Sequence, residues 1–87
     1  MTKIYTYCLF DEEDTFFGVY SSLQAIHRDA VKLCNKGRYP VLMEYKGERH
    51  PVQLATLRNI LKGKFDVQVV YRSGRHAAKI IKTKLKE

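Results

Sequence analysis

A segment with clear helical periodicity, residues 22–36, lies between runs of apolar residues that are typical of β-strands. Its apolar side chains recur at the spacing of one helix face, and charged residues occupy the opposite side. The apolar positions are Leu23, Ile26, Ala30, Val31 and Cys34. Ser21 and Gln24 fit a capping box at the start of this helix, and Gly37 is a natural stop after it. One such helix among strands predicts an α+β domain.

Four strand-like runs accompany this helix. Residues 4–10 and 16–20 flank the acidic run 11–14, which predicts an antiparallel hairpin with a charged tip. Residues 41–45 predict a third strand and residues 65–71 a fourth, in a mainly antiparallel sheet. We expect the first hairpin, the helix and the third strand to form a βαβ-like unit that supplies most of the core.

The second half of the chain is less regular. Pro51 indicates the start of a second helix over 52–62, and Gly63 is placed to end it. The basic C-terminal segment, 72–87, fits either a strand or a helix, because its apolar period is too short to decide. We favour the strand, since alternating lysines would leave one clean basic face.

The chain has 87 residues, which allows a single small domain, 1–87, with a thin core. A hydrophobic content of 45% excludes disorder over the whole length. Two cysteines are too few for a secreted disulfide scaffold, and no segment resembles a signal peptide or a membrane span. We therefore expect a cytoplasmic protein that has no membrane contact.

The charge of this chain is strongly asymmetric. The formal net charge is +7, yet residues 1–44 contain five basic and six acidic groups, whereas residues 45–87 contain eleven basic and three acidic groups. Such an imbalance favours an anionic partner. We expect residues 58–86 to form one basic face for RNA, more than for DNA. The residues predicted to bind nucleic acid are Arg58, Lys62, Lys64, Tyr71, Arg72, Arg75, His76, Lys79, Lys82, Lys84 and Lys86.

Two details sharpen this prediction. If 79–86 is a strand, Lys82, Lys84 and Lys86 project from one side about 6–7 Å apart, close to the spacing of phosphates. Aromatic rings beside cations can stack on the bases of single-stranded RNA. Tyr39 and Tyr71, next to Arg38 and Arg72, are the tyrosines we expect to be exposed.

Motifs for catalysis and for cofactors are not found in the sequence. The three histidines and two cysteines lack the spacing of a zinc site, and no P-loop or Gly-x-Ser-x-Gly motif occurs. We expect no metal, no cofactor and no enzymatic activity. One alternative stays open, a small metal-independent nuclease that uses His76 with Lys79 or Arg75 around a phosphate.

The chain resembles small basic accessory proteins of T-even-type phages in two segments. One is the opening strand Ile4-Tyr5-Thr6-Tyr7, and the other is the segment Gly18-Val19-Tyr20-Ser21-Ser22, which leads into an alanine-containing helix. Within that group the chain is similar to the toxin-inhibitory factors. The resemblance implies that the protein binds RNA and neutralises ToxN, the ribonuclease toxin of a type III toxin–antitoxin system, in the cytoplasm of an infected bacterium.

Our main hypothesis is a non-enzymatic RNA-binding protein that inhibits a host ribonuclease toxin. We expect it to bind single-stranded or structured RNA with little sequence preference, because no residue set is arranged for reading base edges. The alternative is a protein–protein inhibitor that acts without RNA. In that case the acidic tip 11–14, or a helix face formed by Leu54, Leu57 and Leu61, would make the contact.

Overall fold

An antiparallel sheet with two helices on one of its faces makes up the part of the chain that the computed structural model describes, residues 5–84. The predicted α+β class is confirmed. Six strands are present in this range: β1 (Tyr5–Asp11), β2 (Phe16–Tyr20), β3 (Leu42–Tyr45), β4 (Glu48–His50), β5 (Val67–Ser73) and β6 (His76–Lys84). The helices are α1 (Leu23–Cys34) and α2 (Leu54–Leu61). Neither helix has the length and apolar composition needed to cross a membrane.

The C-terminal hairpin occupies the centre of the sheet. The strand order is β2-β1-β6-β5-β3-β4, so β6 pairs with β1 on one side and with β5 on the other. The predicted strand for the C-terminal segment is confirmed, and Gly74, with a φ of +59°, lies in the tight turn that precedes it. The expected core unit was wrong, because β6 and β5 separate the first hairpin from β3.

Residues that pair directly across strands point to the same face of the sheet. Leu9, Ile80 and Val69 form one such row, and all three are buried beneath α1. We call this side of the sheet the helix face. The other side, which we call the open face, has no helix of the described region packed on it.

Helix α1 begins one residue later than the capping box predicted. Ser22 is the N-cap, and its Oγ accepts a hydrogen bond from the backbone N–H of Ala25 at 3.2 Å. Ile26, Ala30 and Cys34, which are four residues apart, are fully buried in the core. This apolar period is the same for either serine, so it could not tell which of the two is the cap.

The second helix is shorter than predicted, because Gln53 is its N-cap and Lys62 its C-cap. Strand β4 was missed. The dipeptide Lys46-Gly47, which we interpreted as the end of β3, has positive φ angles of 51° and 79° at its two residues. Positive φ at both central residues is typical of a hairpin turn, and the turn returns the chain as β4.

Tyr71 is the largest fully buried side chain of the core. Its hydroxyl oxygen lies 2.5 Å from Nδ1 of His27, and its backbone carbonyl accepts a hydrogen bond from Sγ of Cys34 at 2.9 Å. Burial raises the pKa of the Cys34 thiol to about 11 and so keeps it protonated. Both helix residues thus attach α1 to β5 through polar contacts inside an apolar core.

The same contact predicts that stability depends on pH. Burial lowers the pKa of His27, so the folded state favours the neutral ring, whereas the unfolded chain binds a proton near pH 6.5. The stability that depends on neutral His27 should therefore be fully present above about pH 6.5 and should be lost as the pH falls through the pKa of the folded state. Urea unfolding at pH 7.5, 6.5 and 5.5 would measure this decline.

A His27→Gln variant is the control for this prediction, since it cannot titrate. Its urea midpoint should change less between pH 7.5 and 5.5 than that of the wild type. Hydrogen bonds lower the pKa values of Asp11 and Asp29 below their usual range, so these carboxylates lose their stabilising effect only below about pH 4. An unchanged pH profile in the variant would contradict the assignment to His27.

Candidate nucleic-acid interface

The cations predicted to bind nucleic acid do not form one continuous face. Side chains alternate along each strand of the β5–β6 hairpin, so Arg72 and Lys79 lie on the open face. Lys82 and Lys84 are two and four residues after the buried Ile80 on the same strand, so they lie on the helix face. The expectation of a single basic face was wrong, because a strand in the centre of a sheet sends its cations to both sides.

The two cations of the β5–β6 hairpin on the open face, Arg72 and Lys79, are paired with the protein's own carboxylates. Nε of Arg72 lies 3.2 Å from Oε1 of Glu44 on the neighbouring β3. Nζ of Lys79 lies 2.5 Å from Oδ1 of Asp14, because the acidic tip folds back towards the sheet. Each pair is partly exposed and contributes little to stability, but it partly neutralises a cation that a phosphate would otherwise meet.

The turn between β5 and β6 places a third group at one end of the sheet. Arg75 is exposed there, and Nδ1 of His76 lies 3.4 Å from Oε1 of Glu12. Tyr39 is 66% exposed, as predicted, and its ring lies against Gly74, where an added Cβ would be 2.7 Å from Cδ2 of the ring. This end therefore offers one exposed ring beside two arginines, Arg38 and Arg75, that form no ion pair within residues 5–84.

A larger concentration of positive charge lies at the opposite end of β6. A cavity of about 620 Å³ opens there between the first turn of α1 and the last turn of α2. Its charged lining residues, as far as the described chain shows, are all cations. We call this site the basic pocket and define it by Tyr5, Tyr7, Arg58, Lys62, Phe65 and Lys82.

Lys82 forms the floor of the basic pocket. It is only 6% exposed, and its Nζ donates a hydrogen bond to the backbone carbonyl of Leu61 at 2.8 Å. The ammonium lies 4.6 Å from the ring centre of Tyr5 and 4.9 Å from that of Phe65. A helix C-terminus and two aromatic faces both stabilise a cation, which explains how a lysine can be buried here. The prediction that Lys82 projects into solvent beside Lys84 and Lys86 was therefore wrong.

Two further lysines extend the positive surface beyond the basic pocket. Nζ of Lys84 lies 4.9 Å from the ring centre of Phe65. Nζ of Lys64 lies 4.9 Å from the ring centre of Tyr45 and donates to its hydroxyl at 3.4 Å. Lys86, also predicted to bind, lies outside the described residues.

The aromatic residues of the site differ from those predicted. Tyr71 was expected to be exposed, but it is fully buried and cannot stack on a base. Tyr5 and Phe65, which flank Lys82, were missed. Burial raises the pKa of Tyr7 to about 12, and the nearby Arg58 opposes this only in part, so the phenol stays a neutral donor. The alternation of side chains gave one hint. Tyr5 and Tyr7 point to the same side of β1, and Lys82 and Lys84 point to the same side of β6.

No three histidine, cysteine or carboxylate side chains within residues 5–84 lie close enough together to hold a metal ion. Comparison with protein-family models, with curated proteins and with solved structures finds no significant match to this chain. The chemistry of the basic pocket has therefore to be derived from its own residues.

Proposed function

We propose that the protein is a non-enzymatic RNA-binding protein and that the basic pocket, with the lysines beside it, is its contact surface. The observation that carries this proposal is that no carboxylate within residues 5–84 forms an ion pair with the cations of this surface. Those cations are Arg58, Lys62, Lys64, Lys82 and Lys84. Unpaired cations that release counterions from phosphates supply most of the affinity in such complexes.

The rings beside these cations favour RNA with unpaired bases over duplex DNA. Tyr5 and Phe65 flank the basic pocket, and unpaired bases can stack on aromatic rings, whereas bases in a duplex cannot reach them. Reading a DNA major groove requires a helix or a strand pair that projects from the fold. Both helices instead pack on the sheet through their apolar sides. Contacts through phosphates and stacking predict little sequence preference.

The resemblance to phage toxin-inhibitory factors supplies the biological part of the proposal. A protein that holds RNA on one side of its sheet can bring that RNA to a host ribonuclease toxin in the bacterial cytoplasm. Inhibition would then be stoichiometric and would depend on RNA. The open face and the sheet edges stay available for the toxin while RNA occupies the basic pocket.

A direct protein contact without RNA is the second candidate, and the edge strand β2 favours it. Phe16, Phe17 and Val19 are each more than half exposed on that strand, and exposed edges readily pair with other chains. The leucine face considered earlier is not available, because Leu57 and Leu61 are buried in the core. A partner that stays bound after ribonuclease treatment of a pull-down would support this candidate.

Binding of a labelled single-stranded RNA, followed by fluorescence anisotropy at 50 and 200 mM salt, tests the main proposal. About five phosphate contacts on a single strand predict a salt slope near −3.5, which is roughly a hundred-fold loss of affinity over this range. Duplex DNA should bind more weakly than the RNA at both salt concentrations. Affinity that is independent of salt, or duplex DNA that binds as tightly as RNA, would contradict the proposal.

A further inference from the structure

The charge of the basic pocket exceeds what an internal RNA phosphate can match. Arg58, Lys62 and Lys82 bring three positive charges to one cavity, and no acidic residue lines it anywhere in the described range. An internal phosphodiester has one negative charge, whereas a phosphomonoester carries about −1.5 to −2 at pH 7. The pocket is therefore better matched to a terminal phosphate than to the middle of an RNA chain.

The donors of the pocket suit the oxygens of a terminal phosphate. The ammonium of Lys82 has three donor hydrogens, and Leu61 accepts one of them. The guanidinium of Arg58 is planar and can bind two phosphate oxygens at once. Because Lys82 is held between two rings and a helix end, its position is set before any ligand arrives. A preorganised cation loses less entropy on binding than a flexible surface lysine does.

The size of the pocket indicates that more than a phosphate enters. A cavity of about 620 Å³ lies in the range of sites for small molecules and cofactors, far above the needs of a single anion. Tyr5 and Phe65 offer rings on which a base can stack beside the phosphate. The first turn of α1, at Ser22 and Leu23, forms another part of the wall and adds the positive end of a helix.

We infer that the basic pocket binds one nucleotide through a phosphomonoester group. Two sources share this chemistry, the phosphorylated end of an RNA and a free nucleoside monophosphate. The first source rests on the proposed function, and the second does not. The protein would then recognise RNA by its end, so that cleavage which leaves a terminal phosphate creates a ligand and loss of that phosphate removes it.

Three versions of one single-stranded RNA, with a 5′-phosphate, with a 3′-phosphate and with hydroxyls at both ends, test this inference by anisotropy. We expect at least one phosphorylated form to bind about tenfold or more tightly than the hydroxyl form. In parallel, adenosine 5′-monophosphate and inorganic phosphate are titrated into the labelled protein and followed by NMR. The nucleotide should shift the signals of Tyr5, Arg58 and Leu23 at lower concentration than inorganic phosphate does.

A matched pair of variants locates the effect. Arg58 and Lys62 are exposed, so the R58A/K62A variant should fold and should lose the preference for a terminal phosphate. The K46A/R49A variant removes the same charge from exposed positions on the β3–β4 hairpin and should keep the preference. Equal loss in both variants would overturn the assignment to the pocket.

The outcomes separate this inference from the proposed function. RNA binding without a preference among the three RNA ends, together with no response to the monophosphate, overturns the inference and leaves the proposed function intact. Binding of the monophosphate without binding of any RNA supports the pocket, with a free nucleotide as its ligand, and overturns the proposed function. Absence of both overturns both.

Discussion

Replacing Tyr71 with alanine should lower the free energy of unfolding by about 3–5 kcal/mol, the cost of removing a large aromatic side chain from a core. The ring is fully buried, and its loss would leave a cavity between α1 and β5 as well as an unpartnered His27 side chain. A domain of this size is stable by only about 4–13 kcal/mol, so the substitution should remove a large part of its stability. Urea unfolding followed by circular dichroism measures the change.

Tyr71→Phe is the control for this prediction. It keeps the ring and removes only the hydroxyl that contacts His27, so the loss should be about 1 kcal/mol. The comparison also tests the role of the residue. If Tyr71→Ala kept the stability of the wild type and instead weakened RNA binding, Tyr71 would be a stacking residue after all and the buried position would be refuted.

Removing three cations of the proposed RNA surface should weaken RNA binding about a hundred-fold. The variant R58A/K62A/K64A loses three exposed cations, each of which is expected to contribute about 1 kcal/mol through a phosphate. The dependence of log affinity on log salt should become shallower by about 2, because each single-strand phosphate contact contributes about 0.7. Anisotropy titrations at three salt concentrations give both quantities.

The matched control removes three cations elsewhere. In the variant R49A/R72A/K79A the net charge falls by the same amount, but two of its cations already have carboxylate partners on the open face. We expect its affinity for RNA to stay within about threefold of the wild type. If the two variants lost equal affinity, total charge rather than the basic pocket would govern binding.

The structure revises the simplest interpretation of the C-terminal lysines. Counting cations along 72–87 suggested one continuous face, and the residues are indeed close together in sequence. These lysines, however, have different interaction partners. Lys79 meets Asp14, which is distant in sequence, and Lys82 meets the end of α2. Lys82 and Lys84 have no carboxylate partner in the described region, and of the two only Lys84 is exposed.

Local patterns predicted the elements well where one period dominated. The helix at 22–36 was found because its apolar side repeats every three to four residues over three turns. Alternating lysines favoured a strand at β6, but the apolar period of that segment also fitted a helix, and the structure decided for the strand. Strand β4 was missed because three residues are too few to show a period, and its only signal was the glycine of a turn. The N-cap of α1 is Ser22 rather than Ser21, and the period of the apolar residues does not distinguish these two adjacent serines.

The site was predicted less completely than the fold, for a related reason. Arg58, Lys62 and Lys64 were named because they are basic, and they do lie at the basic pocket or beside it. Tyr71 was named because an arginine follows it, yet in a strand the next residue points to the opposite face. The buried Tyr71 and the exposed Arg72 are the direct result of that alternation.

The sequence by itself determined the α+β class, the position of the first helix and the excess of positive charge in the second half of the chain. These properties depend on period and composition, which are local. Only the tertiary structure decided that β6 lies between β1 and β5, that Lys82 is buried under α2, and that Tyr5 and Phe65 form the walls of a cationic cavity. Strand order and the face that a side chain occupies arise from contacts between residues far apart in the chain, and no local pattern contains them.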